Sequence, residues 1–284
     1  MTAGLVFLGL ACCLFAAGAG PAGAGEEQPR IPGLAAHGEG EGTRYGELFA
    51  PHEPLYAVVG GRGTTNAKFQ ISFRYRFLGG RAGDGHTSWL EDLNFGFTQT
   101  SLWDIELESS PFRDTSYRPS LFYREETVAR WSRPRRRVGI QAGIEHESNG
   151  QAGDRSRSLN IVYVQPILHL GDERDWHWTV APRIFAYVGS LADNPNIADF
   201  RGYADLLVTW GHPDGLELRG MLRKGTRADR GSMQLDVTWP LDRLRGGRIA
   251  AYAHLQVFAG WGESLIDYDV KRPTQFRLGI TVLR

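Results

Sequence analysis

From Pro54 to the end of the chain, hydrophobic and polar residues alternate with a period of two. Phe69, Ile71, Phe73, Tyr75 and Phe77 are interleaved with Gln70, Ser72, Arg74 and Arg76. Val138, Ile140, Ala142 and Ile144 alternate with Arg137, Gly139, Gln141 and Gly143. Trp176, Trp178, Val180, Pro182, Ile184, Ala186 and Val188 are set against a series containing His177, Thr179, Arg183 and Tyr187. The same pattern returns in Met233, Leu235, Val237 and Trp239, in Ile249 to Val257, and in Phe276, Leu278, Ile280 and Val282. Successive side chains of an extended strand point to opposite faces, so each run predicts a strand with one apolar and one polar side. No stretch carries a convincing 3.6-residue period.

The pattern marks roughly twelve segments, near 54–61, 68–78, 89–102, 117–128, 136–147, 158–169, 175–189, 201–211, 214–223, 231–239, 247–259 and 273–283. Many reach about ten residues, long for a soluble sandwich but the length a tilted strand needs to cross an outer membrane. Trp89, Trp131, Trp176, Trp210, Trp239 and Trp261 stand near strand ends, where an interfacial girdle is expected. The expected fold is all-β, a twelve-stranded antiparallel transmembrane β-barrel over residues 54–284. A large soluble sandwich or lipocalin-like barrel is the competing architecture.

The N-terminus follows different rules. Residues 1–25 carry no charge, Gly4–Ala17 is an apolar run, and Ala22-Gly23-Ala24 has the small-x-small form of a signal-peptidase site. Residues 1–24 are therefore expected to be a signal peptide, and residues 25–53, rich in Gly, Ala, Glu and Pro, a flexible arm. Both cysteines, Cys12 and Cys13, fall in the signal segment. Disulfide, zinc and cysteine-nucleophile chemistry are thereby excluded from the mature chain.

Composition narrows the partners. The formal net charge is zero, so the basic footprint of a nucleic-acid-binding protein is missing. Mean hydropathy is −0.32, which excludes a polytopic helical membrane protein. A barrel hides its membrane character from such an average, because lumen positions cancel lipid-facing ones. Of 32 basic residues only Lys68, Lys224 and Lys271 are lysines. The arginine surplus reflects genomic codon bias or a packed polar interior in which guanidinium forks pair with carboxylates.

One segment carries candidate chemistry: Gly143-Ile144-Glu145-His146-Glu147-Ser148-Asn149-Gly150, followed by Ser156-Arg157-Ser158-Leu159-Asn160. A serine nucleophile needs a base within reach, and the base needs a third group to fix its tautomer. On a strand, His146 and Ser148 project from one face, and a hairpin turning near 151–155 returns Asn160 beside His146. All three continue apolar series that face lipid in a barrel. Polar groups there are costly unless paired, and catalysis on lipid is one reason to keep them. Three residues hydrogen-bonded to each other near a loop, with no chemistry, is the alternative.

The run His146-Glu147-Ser148-Asn149-Gly150, with Ser156-Arg157-Ser158 and Asn160, closely resembles outer-membrane phospholipase A. The resemblance extends to Phe69-Gln70, Ser109-Ser110-Pro111-Phe112-Arg113, Asp193-Asn194-Pro195-Asn196-Ile197 and Gly262-Glu263-Ser264-Leu265-Ile266-Asp267-Tyr268. It implies a calcium-dependent homodimeric barrel that hydrolyses acyl esters of glycerophospholipids. By the same resemblance Ser148 would be the nucleophile, His146 the base and Asn160 the orienting residue. The backbone N–H groups of Ser148 and Gly150 would meet the oxyanion. Calcium would take the Ser156 side chain, the Gln151 carbonyl and the Ser109 carbonyl of the facing subunit. Gln99 would lie at the dimer interface.

Two departures stand out. The loop acid comes one position later than in the family, at Asp154, and the chain ends in Arg284 without the terminal aromatic usual in outer-membrane barrels. A lipid A deacylase also sets a His/Ser pair on a barrel's outer face, but Asn149-Gly150 after the serine and the segment from Ser156 to Asn160 disfavour it. A passive porin would keep polar groups off the lipid face. The expected location is the outer membrane of a Gram-negative bacterium. Mass spectrometry of the exported protein should place its N-terminus at Gly25; a mature chain retaining residues 1–24 would contradict the processing site.

Overall fold

The structure is a computed structural model describing residues 48–77, 89–132, 135–241 and 250–284. The expected signal peptide and most of the arm lie outside these residues. The barrel strands are β1 (Leu55–Gly60), β2 (Asn66–Arg76), β3 (Leu93–Trp103), β4 (Phe112–Trp131), β5 (Arg136–Ser148) and β6 (Ser158–Gly171). They continue as β7 (His177–Val188), β8 (Ala204–Gly211), β9 (Glu217–Lys224), β10 (Gly231–Pro240), β11 (Tyr252–Trp261) and β12 (Lys271–Leu283). Each pairs antiparallel with its sequence neighbour, and β12 returns to β1, with Leu278 opposite Val59. The result is a closed twelve-stranded barrel, as the alternation predicts. Closure removes every exposed sheet edge, the condition for a sheet to sit in lipid. No helix among the described residues is long and apolar enough to cross a membrane.

Parity sorts the side chains. Along β2, Asn66, Lys68, Gln70 and Ser72 are buried in the lumen, whereas Ile71 is exposed on the outer wall. Ile144, Val162, Ile184, Phe276 and Leu278 are likewise exposed, forming the apolar outer surface. The lumen is polar and crossed by hydrogen bonds and ion pairs. Ser72 and Thr98 share a hydrogen bond of 2.7 Å, and Arg223 forks onto Asp205 at 2.7 and 2.9 Å. Arg183 meets Glu145 at 3.1 Å, and Arg74 lies 3.7 Å from Glu126. Much of the arginine surplus therefore has a structural place.

The barrel starts before Pro54. Phe49 and Ala50 pair with Tyr75 and Arg74 on the β2 edge that β1 uses further along, where Tyr56 faces Gln70. The intervening residues Pro51-His52-Glu53-Pro54 leave that edge and enter the lumen. Two prolines that cannot donate to a ladder favour the excursion. Inside, the His52 ring stacks on Phe122 with centroids 5.0 Å apart, and Arg118 donates to Glu53 at 2.6 Å. Gln70 Nε2 donates to the Pro54 carbonyl at 2.9 Å. The end of the expected flexible arm is thus a structured part of the wall, held by partners that no local pattern reveals.

The mouth nearest the end of β5 is filled from within. A short helix, α1 (Ile197–Arg201), and the loop 262–270 fold inward. Ile197, Phe200, Leu265 and Tyr268 pack with Phe122, Leu159, Ile161, Tyr163 and Phe185 in one hydrophobic cluster. Trp261 packs against this cluster, 5.1 Å from the Phe200 ring. It is an interior residue, a correction to its expected place in the girdle. Trp131, Trp176 and Trp239 are exposed as expected; nothing in the described residues concerns the Trp89 side chain. Glu263, on the same loop, accepts from Arg277 at 2.6 Å and lies 3.7 Å from Lys68. Burial pushes its carboxyl up, but these two cations outweigh that and hold it below the usual carboxylate range.

Arg201 of α1 donates to Glu147 at 2.7 Å, and Ser116 donates to the other oxygen of that carboxylate at 2.8 Å. Removing one member of a buried pair strands the other's charge. Arg201→Ala should therefore cost about 3 kcal/mol or more, read as a lower urea midpoint in detergent; an unchanged midpoint would contradict the role given to this pair.

Candidate active site on the outer wall

β5 closes with His146-Glu147-Ser148. Glu147 points inward to Arg201, so its two neighbours must point outward with Ile144. Across the β5–β6 ladder His146 faces Asn160 and Ser148 faces Ser158. The imidazole Nδ1 donates to Asn160 Oδ1 at 2.8 Å. An amide oxygen only accepts, so Nδ1 carries the proton and Nε2 is left as a bare acceptor. Asn160 is exposed beside Val162, and the polar pair borders apolar wall. Among the described residues the Ser148 hydroxyl makes no hydrogen bond. It stands two positions from His146 on the same face, an arrangement that in enzymes without substrate is often loose.

The row containing Ser148 runs on around the barrel. Ser148 faces Tyr117, Tyr117 faces Gln99, and Gln99 faces Ile71. Gln99 thus lies on the outer wall two strands from Ser148, its Nε2 donating to Ser101 Oγ at 3.3 Å.

The loop after Ser148 is tied by one buried amide. Asn149 Nδ2 donates to the Arg155 carbonyl at 2.9 Å. Its Oδ1 accepts from the backbone N–H of Gln151 at 3.3 Å and of Arg157 at 3.0 Å. Gly150 has φ +65°, a left-handed conformation costly for any residue with a Cβ, and an added Cβ would lie 3.2 Å from the Tyr117 ring. Its N–H has no acceptor among the described residues and is free for an incoming group.

Oxygen atoms gather on the far side of this loop. Ser156 Oγ and Ser158 Oγ donate to one oxygen of Asp193, at 3.3 and 3.2 Å. The amide oxygen of Asn194 accepts from Ser158 N–H at 3.2 Å. Gln151 belongs to the same loop, where its side-chain oxygen accepts from Arg155 Nε at 2.6 Å. Ser109 is on the separate turn between β3 and β4, and no hydrogen bond among the described residues joins it to Gln151 or Ser156. Ser109 and Ser110 have φ of 64° and 40°, rare for non-glycine residues and held by the surrounding turn. Trp103 Nε1 donates to the Ser110 carbonyl at 2.6 Å, and Ser110 Oγ to that of Ile105 at 3.1 Å. Ser156 Oγ and the Asp193 carboxylate, joined at 3.3 Å, present oxygen atoms only, ligands of the kind that fit a hard cation such as calcium. The carboxylate that accepts from these serines is Asp193; its signal in the sequence is its membership of the Asp-Asn-Pro motif.

A closed β-barrel with a serine, a histidine and an asparagine on its lipid-facing wall has the outline of a membrane-embedded ester hydrolase. Comparison with known proteins makes that class specific: residues 50–282 match the family model described as Phospholipase A1, and the chain belongs to that family. A relative from Neisseria meningitidis is 31% identical over 236 residues, 79% of this chain and 58% of that one. A phospholipase A1 of Klebsiella pneumoniae is 32% identical over 222 residues, 76% of this chain and 69% of that one. Among solved structures, an outer membrane phospholipase dimer of Salmonella typhi with bound calcium aligns with a TM-score of 0.68 and 25% identity. That alignment covers 83% of this chain and 92% of the other.

Gly150→Ala would force a Cβ into the left-handed region at a cost of about 1–2 kcal/mol and crowd Tyr117. We expect a barrel that still folds and shows heat-modifiable mobility on gels but has lost most of its esterase activity. Full activity in this variant would mean that the loop backbone takes no part.

Proposed function

We propose that the protein hydrolyses acyl ester bonds of glycerophospholipids and lysophospholipids in the outer membrane of a Gram-negative bacterium. The observation that carries this reading is the 2.8 Å hydrogen bond from His146 Nδ1 to Asn160 Oδ1, made on the lipid-facing wall two positions from the Ser148 hydroxyl. Membership of the phospholipase A1 family supports the reaction class.

Ser148 Oγ attacks the acyl carbonyl as His146 Nε2 takes its proton. Asn160 holds the ring through Nδ1–H, and as a neutral amide it orients the imidazolium without offsetting its charge. The negative oxygen of the tetrahedral intermediate meets the Gly150 N–H; the Ser148 N–H is the second donor implied by the resemblance. The bond to the glyceryl oxygen then breaks, and that oxygen leaves with the proton from His146 Nε2. Water attacks the acyl-serine, giving its proton to Nε2. The fatty acid departs, and the proton returns to Ser148. Substrate reaches the site laterally, because the triad opens to lipid rather than to the lumen.

Ser156 Oγ, the Gln151 carbonyl and the nearby Asp193 carboxylate would hold calcium, with the Ser109 carbonyl supplied by a second copy of the chain. Calcium held there would supply positive charge that stabilises the oxyanion. Gln99 and Tyr117 share the Ser148 row on the outer wall and would lie in the dimer contact, where an amide in hydrocarbon specifies a twofold pairing. The Salmonella protein's calcium-bound dimer supports both assignments.

Ser148→Ala and His146→Ala should abolish release of fatty acid from a labelled phospholipid in detergent, and Asn160→Ala should lower it by one or more orders of magnitude, about the effect of losing a positioning partner. All three variants should keep heat-modifiable mobility. Chelation should silence the wild type, and added calcium restore it. A folded Ser148→Ala variant with full activity would overturn the mechanism.

A further inference from the structure

We propose that Arg155 is a phosphate-binding residue of this site, taking the phosphodiester of the lipid whose acyl ester lies at Ser148. The inference rests on the phospholipase reading and names the group that would hold the polar end of the substrate. Among the described residues, Arg113, Arg155 and Arg157 adjoin the loop beyond Ser148, and two of them are committed. Arg113 forks onto Asp104 at 3.1 and 2.8 Å and lies 3.6 Å from Asp267. Arg157 donates to the carbonyls of Asp154 and Ser156 at 2.9 and 2.7 Å and lies over the Tyr268 ring. Arg155 is exposed and, among the described residues, has no carboxylate within ion-pair distance.

Its placement is nevertheless defined. Asn149, the residue after Ser148, holds the Arg155 carbonyl at 2.9 Å. Nε donates to Gln151 Oε1 at 2.6 Å, and Nη2 to the Arg113 carbonyl at 3.3 Å. A guanidinium carries five N–H donors, so three remain. Two neutral acceptors thus steady one edge of the fork and leave the other open. Neutral donors could serve those acceptors equally well; the unspent positive charge is what a structural brace does not require. A steadied planar fork is suited to bidentate capture of a phosphate, because little side-chain freedom is left to lose. In a glycerophospholipid only the short glycerol unit separates ester from phosphate, so a lipid with its carbonyl at Ser148 Oγ brings an anion to this loop. Asp193, on the neighbouring loop, is turned to Ser156 and Ser158.

The test compares wild type, R155Q and R155K on lysophosphatidylcholine and on a monoacylglycerol with the same acyl chain. Both substrates are presented in nonionic detergent micelles with calcium, which removes any general attraction to an anionic surface. R155Q should raise KM for the lysophospholipid about tenfold, the scale of one charge-assisted hydrogen bond. Its kcat should stay within about twofold, the monoacylglycerol kinetics should not move, and R155K should fall between. Equal losses on both esters, a fall in kcat alone, or no change on either would overturn the assignment. So would a higher calcium requirement in R155Q, which would make Arg155 a brace for the loop. If the wild type leaves the monoacylglycerol intact, the lysophospholipid KM and the calcium titration decide. A wild type that cleaves neither ester would instead bring down the phospholipase reading itself.

Discussion

Everything proposed for this protein hangs on the register of the hairpin formed by β5 and β6. In a strand the side-chain period is two, so slipping the pairing by one residue would turn His146 and Ser148 into the lumen and Glu147 into lipid. The opposition of His146 to Asn160 is the visible result of the correct register. Its guarantee sits on the other face, where Glu147 takes donors from Ser116 and Arg201. A carboxylate exposed to hydrocarbon would cost several kcal/mol. The charged residue between the two reactive ones therefore forces them outward. The polar lumen and the outer-wall site are two readings of one alternation.

The filled mouth extends this logic. α1 brings Arg201 to Glu147, and the segment before it brings Asp193 to Ser156 and Ser158. Tyr268, from the loop before β12, donates to Asn196 at 2.6 Å and lies beneath the Arg157 guanidinium. Two loops distant in sequence thus converge behind the segment from Asn149 to Arg157. Hydrogen bonds and apolar packing hold that segment in place, and the reactive groups themselves are spared any structural duty. A site on the wall of a barrel has no cleft to shape it, so its rigidity comes from the interior.

How much of this was legible in the sequence follows from the physics of each part. Barrel class, strand number and the facing of His146, Ser148 and Asn160 depend on parity, which is local, and the alternation displays it directly. The inward turn of His52 and Glu53 depends on Phe122, Arg118 and Ser72, which are remote in sequence. Trp261 looks like a girdle residue because it ends a strand; only the folded mouth brings it against Phe200. Asp193 was visible as part of a motif, but no periodicity carries a long loop back onto the hairpin before it. The five-residue helix is too short to leave a helical period at all.

The proposed nucleophile is Ser148 on the outer wall, activated by His146 and Asn160. Reaction with a long-chain alkyl sulfonyl fluoride in calcium-containing detergent, followed by peptide mass spectrometry, tests it most directly. A single sulfonylated residue, Ser148, is expected, with loss of activity in proportion to labelling and no labelling in His146→Ala. Inactivation through any other residue, or an unlabelled Ser148 in a preparation that the reagent has silenced, would contradict it.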